Sequence, residues 1–194
     1  MRFALAVSLL LSAAAAHAES RYQLEAGFVA HPGYSWQTSS ILAPTISIGV
    51  EDGASVWLLG IAGYAIHGHE LTGIGSSNGA LAYQLDNVTT VSVSLTPGYR
   101  RYLTGFESGF APLLEGSLEI GVAHTSTEAN PYRLTALAVA GNAGFGGEAR
   151  IGDHFAIDAR VFARLAGSRG SGSYPTVYSV DFGFGTSAGL TLRF

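Results

Sequence analysis

The stretch Val177 to Phe194, VYSVDFGFGTSAGLTLRF, sets Val180, Phe182, Phe184, Ala188, Leu190, Leu192 and Phe194 at one parity and Asp181, Gly183, Ser187, Thr191 and Arg193 at the other. A period of two over so long a run is the mark of a β-strand with one apolar and one polar face. Working back along the chain, the same alternation recurs in seven further segments, starting at Arg21, Ile41, Ser55, Asn87, Pro112, Leu137 and Phe155. In the first of these Tyr22, Leu24, Ala26 and Phe28 oppose Gln23, Glu25 and Gly27, and in the seventh Phe155, Ile157, Ala159, Val161 and Leu165 oppose Asp158, Arg160 and Arg164. Only the third segment, Ser55 to Ile66, lacks a polar face, and strand count and spacing place it in the series. Glycine and β-branched residues are spread through every segment, and no 3.6-residue stripe persists, so helices are not expected.

The chain has 194 residues, of which 47% are apolar and 12% charged, with 26 glycines, no cysteine and a net charge of −4. It is long enough for one domain with its own core. The absence of cysteine excludes disulfide frameworks, thiolate nucleophiles and cysteine-based zinc or iron sites. All ten basic residues are arginine, and an acidic balance with so few charges argues against a nucleic-acid partner. Arg2, the apolar run Phe3 to Ala15 and the small residues of Ala16-His17-Ala18 form a secretory signal peptide over residues 1–18, leaving a single domain over 19–194. No later apolar run is long enough for a spanning helix, so a membrane-spanning form of this chain has to be a closed barrel.

Connections are short after the second, fourth and sixth segments, around Asp52-Gly53, Gly105 to Gly109 and Gly152-Asp153, and long after the odd-numbered ones. An even strand number, short turns at one end and polar loops at the other are the pattern of an eight-stranded antiparallel up-and-down transmembrane β-barrel. A soluble lipocalin-like barrel carrying a hydrophobic ligand is the alternative, because alternation alone does not say which face is outside. The polar face is rich in Gly, Ser and Thr, has charges of both signs and contains no lysine, which suits a crowded interior better than a solvated surface. Tyr22, Trp57, Tyr99, Tyr102, Phe155 and Phe194 fall near segment ends, where an interfacial aromatic girdle belongs.

With Leu95-Thr96-Pro97-Gly98-Tyr99-Arg100-Arg101-Tyr102 and the terminal Gly189-Leu190-Thr191-Leu192-Arg193-Phe194, the whole mature chain resembles the small eight-stranded bacterial outer-membrane β-barrels of the OmpA/OmpX type, often called porin-family proteins. That resemblance implies an integral protein of the Gram-negative cell outer membrane, with turns and termini periplasmic and loops outside. It also implies that Leu190, Leu192 and Phe194 form the insertion signal read by the outer-membrane assembly machinery.

Eight strands enclose a lumen that side chains just fill, which argues against a diffusion pore. The inward charges Glu25, Arg100, Glu115, Glu119, Glu148, Arg150, Asp158, Arg160, Arg164 and Arg193 are expected to plug it as ion pairs, Arg100 with Glu115 and Glu148 and Arg150 with Asp158 and Arg160. Chemical motifs are weak. Gly75-Ser76-Ser77-Asn78-Gly79 has the letters of a nucleophile elbow without its strand-turn-helix setting, and Gly144 to Ala149 those of a dinucleotide fingerprint with no helix after it. His67-Gly68-His69-Glu70 has no spacing that fixes a tetrahedral metal site. His124 and Ser126 invite comparison with outer-leaflet lipid A hydrolases, but the acid that should orient the histidine is missing from Leu134 to Ala140, and Glu128 is the nearby carboxylate. The expectation is a non-enzymatic, monomeric scaffold, without metal or cofactor, displaying loops for envelope integrity or external contact. The loops His67 to Asp86 and Gly167 to Pro175 are its expected interactive surface, and Arg133 and Arg169 its expected loop contacts to lipopolysaccharide phosphates.

Overall fold

In the computed structural model, residues 21–31, 41–77, 80–104, 109–127, 133–172 and 176–194 are described. Residues 1–18, assigned above to a signal peptide, lie outside them. Eight strands follow in order: β1 Tyr22–His31, β2 Ile41–Asp52, β3 Ser55–Ser77, β4 Ala80–Tyr102, β5 Phe110–Thr127, β6 Arg133–Ile151, β7 Phe155–Gly172 and β8 Val177–Arg193. Each pairs antiparallel with its sequence neighbour, and β1 pairs with β8, closing the barrel. Closure removes the two sheet edges, so that the strand backbones satisfy one another without water.

The alternation sorts as the residue pattern implies. Phe182 is 67% exposed, Phe145 65% and Ile46 62%, whereas Arg100, Glu148 and Gln23 have no exposure at all. A chain with its large apolar groups outside and its charges inside is inverted relative to a water-soluble domain, and lipid is the solvent that makes this arrangement favourable. Along β7 the outward apolar row from Phe155 to Leu165 covers ten residue steps, which at ~3.3 Å each and a tilt of about 40° stands about 25 Å tall, the height of an outer-membrane apolar band.

The turn ends match their short connections. Gly53 (φ 58°) and Gly152 (φ 73°) occupy the left-handed region in the β2–β3 and β6–β7 turns, where a Cβ would be strained. At this end Trp57 packs against Tyr99 with ring centroids 4.8 Å apart, Tyr22 stacks on Phe194 at 6.3 Å, and Phe155 is exposed beside them. Tyr102, expected in this girdle, is instead 2% exposed in the lumen. It has the parity of Arg100 and so turns inward with it, and its hydroxyl finds partners there.

The other end departs further from expectation. The segment His67 to Asp86 is not a loop: β3 and β4 continue as one hairpin to Ser77 and Ala80, with a register shift between Leu71 and Gly73. The letters Asn78-Gly79 between them are the strongest short hairpin signal a sequence carries. Likewise Gly167 to Gly172 belong to β7, so the second expected loop contracts to the residues beyond Gly172, of which 173–175 lie outside the described set. Arg169 is consequently a strand residue, and Arg133 opens β6. Polar, glycine-rich sequence reads as loop, but cross-strand hydrogen bonds need no apolar side chains once a neighbouring strand is in place.

The glycines of Gly144-Phe145-Gly146-Gly147 have a packing explanation. A Cβ on Gly144 would run into the Val161 carbonyl and Phe162, one on Gly146 into the Ala159 carbonyl and the Arg160 stem, and one on Gly147 into the Phe110 ring. The fingerprint letters therefore record the close approach of β6 to its neighbours, and no helix follows them.

Candidate functional site: a plugged lumen

The inward face of the turn-proximal half is one connected polar network. Arg100, from β4, donates through Nε to Glu115 Oε2 on β5 at 2.8 Å and through Nη2 to Glu25 Oε2 on β1 at 2.7 Å. Arg160, from β7, donates through Nη1 to the same Glu115 oxygen at 2.6 Å, through Nη2 to Glu25 Oε1, and lies 2.8 Å by Nε from Asp158 Oδ1. Two guanidiniums thus share two carboxylates across the full width of the lumen, tying β1, β4, β5 and β7 together.

Tyr102 joins this cluster to a second. Its hydroxyl accepts from Arg100 Nη1 at 3.3 Å and Arg193 Nη2 at 3.2 Å and donates to Glu148 Oε2 at 2.6 Å. Arg193 also donates to Glu148 at 2.8 Å and, through Nε, to Glu51 at 2.7 Å. Farther from the turns, Arg164 bonds Glu119 at 2.5 Å and Asn142 Oδ1 at 3.2 Å.

Nine of the ten expected lumen residues are brought together by these bonds. The pairing of Arg100 with Glu115 is as expected, since the two are opposite in register. That of Glu148 is not: it faces Asp158 in register but turns away from it to Arg193 and Tyr102. Two carboxylates directly opposite repel, so each takes a guanidinium from elsewhere. Arg150 lies inward nearer the turn, opposite Ala156, and is not in these pairs. Sequence reasoning missed Tyr102 as a network member, and it set Glu51 on the polar face without assigning it to the network, although the parity of each points it inward.

Between the Arg160 and Arg164 clusters lies a cavity of about 110 Å³, lined among others by Ser47, Thr96, Ser117 and Asn142. It has room for a handful of water molecules but is floored by the Arg100–Arg160 network. With the lumen crossed by charge-paired side chains, planar-bilayer recordings of the purified protein are expected to show no stepwise conductance; stable channel openings would contradict the plug.

His124 and Ser126 lie on the outward face of β5. His124 Nδ1 is hydrogen-bonded to the Thr135 hydroxyl at 3.1 Å, a neutral partner, and no described carboxylate is bonded to its ring. Glu128 lies outside the described residues. His67, on the outward face of β3, is bonded in the same way to Thr89 at 2.9 Å; the side chains of residues 68–70 lie outside the described set. Among the described residues no group of three metal-ligating side chains is present.

No protein-family model matches the chain, and no curated protein sequence matches it. Solved structures do. Neisserial surface protein A is similar over 90% of this chain and 97% of its own, with 15% identity and a TM-score of 0.54. Ail, the attachment invasion locus protein of Yersinia pestis, solved with the heparin analogue sucrose octasulfate, is similar over 91% and 99%, with 14% identity and a TM-score of 0.55. A major outer membrane protein from Thermus thermophilus is similar over 92% and 100%, with 11% identity and a TM-score of 0.56. The chain therefore has the closed eight-stranded, all-antiparallel fold of the small outer-membrane β-barrels.

Proposed function

We propose that this protein is a non-enzymatic integral barrel of the outer membrane whose task is to hold a projecting β-hairpin at the cell surface. The observation that carries the reading is the overhang of β3 and β4. Their pairing continues to Ser77 and Ala80, whereas β2 leaves β3 at Ala62 and β5 leaves β4 at Val88. From Gly63 to Ser77, the side of β3 away from β4 has no registered strand pairing among the described residues, an edge to which an extended segment of an external molecule can add. A plugged barrel beneath supplies a rigid base and no conduit.

Export through a cleaved signal peptide and insertion by the outer-membrane assembly machinery belong to the same reading. Leu190 faces outward on β8, Leu192 is half-buried and Phe194, just past the strand, is exposed, so the last strand presents an apolar outer face followed by an aromatic ring. A carbohydrate-like polyanion bound to Ail is a property of that protein; here it motivates including sulfated sugars among candidate external partners.

The test is an epitope inserted between Asn78 and Gly79. Antibody staining of intact, unpermeabilised cells is expected, together with an unheated band that shifts on boiling in SDS gels. Staining only after permeabilisation would overturn the outward placement of the hairpin.

A further inference from the structure

The plug is unbalanced where it is most deeply buried. Glu25, Glu115 and Asp158 are ion-paired to two guanidiniums, those of Arg100 and Arg160, so among these described residues there is one more negative charge than positive. Glu25 is 5% exposed and Asp158 1%, and an excess charge in such surroundings is strongly unfavourable unless something balances it. Asp158 gives only one of its oxygens to a guanidinium. Oδ1 lies 2.8 Å from Arg160 Nε, whereas Oδ2 has no hydrogen-bond partner among the described residues.

Register leaves a notch beside that oxygen. Asp158 is opposite Gly189 on β8, which is opposite Gly27 on β1, and the next inward row is Ala156, Thr191 and Glu25. The place a Cβ would take on Gly189 is 2.9 Å from Asp158 Oδ2 and 3.3 Å from Glu25 Oε1. Carboxylate oxygens from the strands on either side of β8 thus converge on space that any other residue would fill. Thr191, the next inward residue on β8, and Gln23, the next on β1 after Glu25, have no exposure. Neither Thr191 Oγ1 nor either amide atom of Gln23 has a hydrogen-bond partner among the described residues. Buried polar atoms are nearly always satisfied, so unsatisfied oxygens gathered at an excess negative charge point to a positive ligand. Glu25 and Ser187, the inward residue on the other side of Gly189, line the cavity above the network, which sets the notch at the edge of that cavity.

We propose that this notch binds one alkali-metal cation, with Asp158 Oδ2 and Glu25 Oε1 as its anionic ligands and Thr191 Oγ1 as a neutral one. Oxygen ligands without nitrogen or sulfur suit a hard cation. A single charge matches the excess of one carboxylate, whereas a divalent ion would overturn the balance that Arg100 and Arg160 already set. The inference uses the lumen network alone and holds whatever the projecting hairpin binds.

The experiment is urea unfolding of the full chain in phosphatidylcholine vesicles at neutral pH, with N-methyl-D-glucamine chloride replaced stepwise by sodium chloride at constant ionic strength. Constant ionic strength removes general screening as a cause, and an ion bound only by the folded chain stabilises it according to its occupancy. Sodium is expected to lower the unfolding equilibrium constant several-fold, and potassium to act in the same direction. Gly189→Ala puts a methyl group in the notch, where its nearest neighbours are the movable side chains of Asp158 and Glu25. This variant is expected to keep the boiling-dependent gel shift and to unfold at the same urea concentration in both salts. Thr191→Val, which removes only the neutral ligand, is expected to weaken the sodium effect. Equal midpoints in both salts for the unsubstituted protein would overturn the site, and stability that then rises on mild acidification would assign the balancing charge to a proton. A sodium effect kept in full by Gly189→Ala would also overturn it, because the ion then binds elsewhere. In either case an intact gel shift leaves the membrane barrel itself standing.

Discussion

Replacing Arg160 by alanine lowers the stability of the barrel by about 3–5 kcal/mol, the cost of stranding a buried charge whose partner has been removed. Arg160 reaches Glu25, Glu115 and Asp158, and only Glu25 and Glu115 have a second guanidinium, that of Arg100. The variant leaves Asp158, 1% exposed, without its one ion-pair partner among the described residues, and only the more distant Arg100 guanidinium still acts on it. Urea unfolding of the protein in lipid vesicles measures the effect, and an unchanged midpoint would show that the network contributes nothing to stability. Arg169→Ala is the comparison: its side chain lies on the outer wall over Tyr178, and a shift of no more than about 0.5 kcal/mol is expected, as for most surface positions. The contrast matters more than either value, because it separates the loss of an arginine from the loss of this arginine's surroundings.

Deleting Leu192, Arg193 and Phe194 is expected to abolish the folded barrel. Phe194 and Tyr22 exchange two backbone hydrogen bonds of 3.0 Å, and Arg193 holds Glu148 and Glu51. Without these residues the turn end of the β1–β8 seam opens, and unpaired backbone groups facing lipid cost several kcal/mol each. No boiling-dependent gel shift should be seen, in cells or after refolding of the purified chain into detergent. The single change Phe194→Ala keeps the backbone bonds, so it is expected to refold in detergent yet to fall several-fold in the outer-membrane fraction if the terminal aromatic serves assembly. Equal losses in both settings would assign Phe194 to closure alone, and equal retention in both would remove it from either role.

The candidate site was legible residue by residue but not bond by bond. Parity in a strand assigns a side chain to a face without reference to any other strand, which is why Arg100, Arg160, Arg164 and Arg193 were identifiable as lumen residues before any pairing was known. Parity says nothing about reach. Arg193 and Glu148 are 45 residues apart and on strands that are not neighbours, and they meet because the lumen is narrow enough for long side chains to cross it. Tyr102 shows the limit from the other side: its type and its place near a strand end suggested an interfacial ring, and its parity, which was the stronger indicator, pointed inward.

Local alternation, an even strand number and turn residues with positive φ need only short-range chemistry, so strand identity, the apolar face and the short-turn end followed from the chain itself. Three things did not. The choice of ion partners depends on distances across the closed barrel; the lengths of β3, β4 and β7 beyond the membrane depend on hydrogen bonding to a neighbouring strand, to which low-hydrophobicity sequence is indifferent; and the meeting of Asp158, Gly189 and Glu25 at one notch depends on the register of β8 with β7 and β1. Register is a property of pairs of strands, and only the closed tertiary structure sets all eight pairs at once.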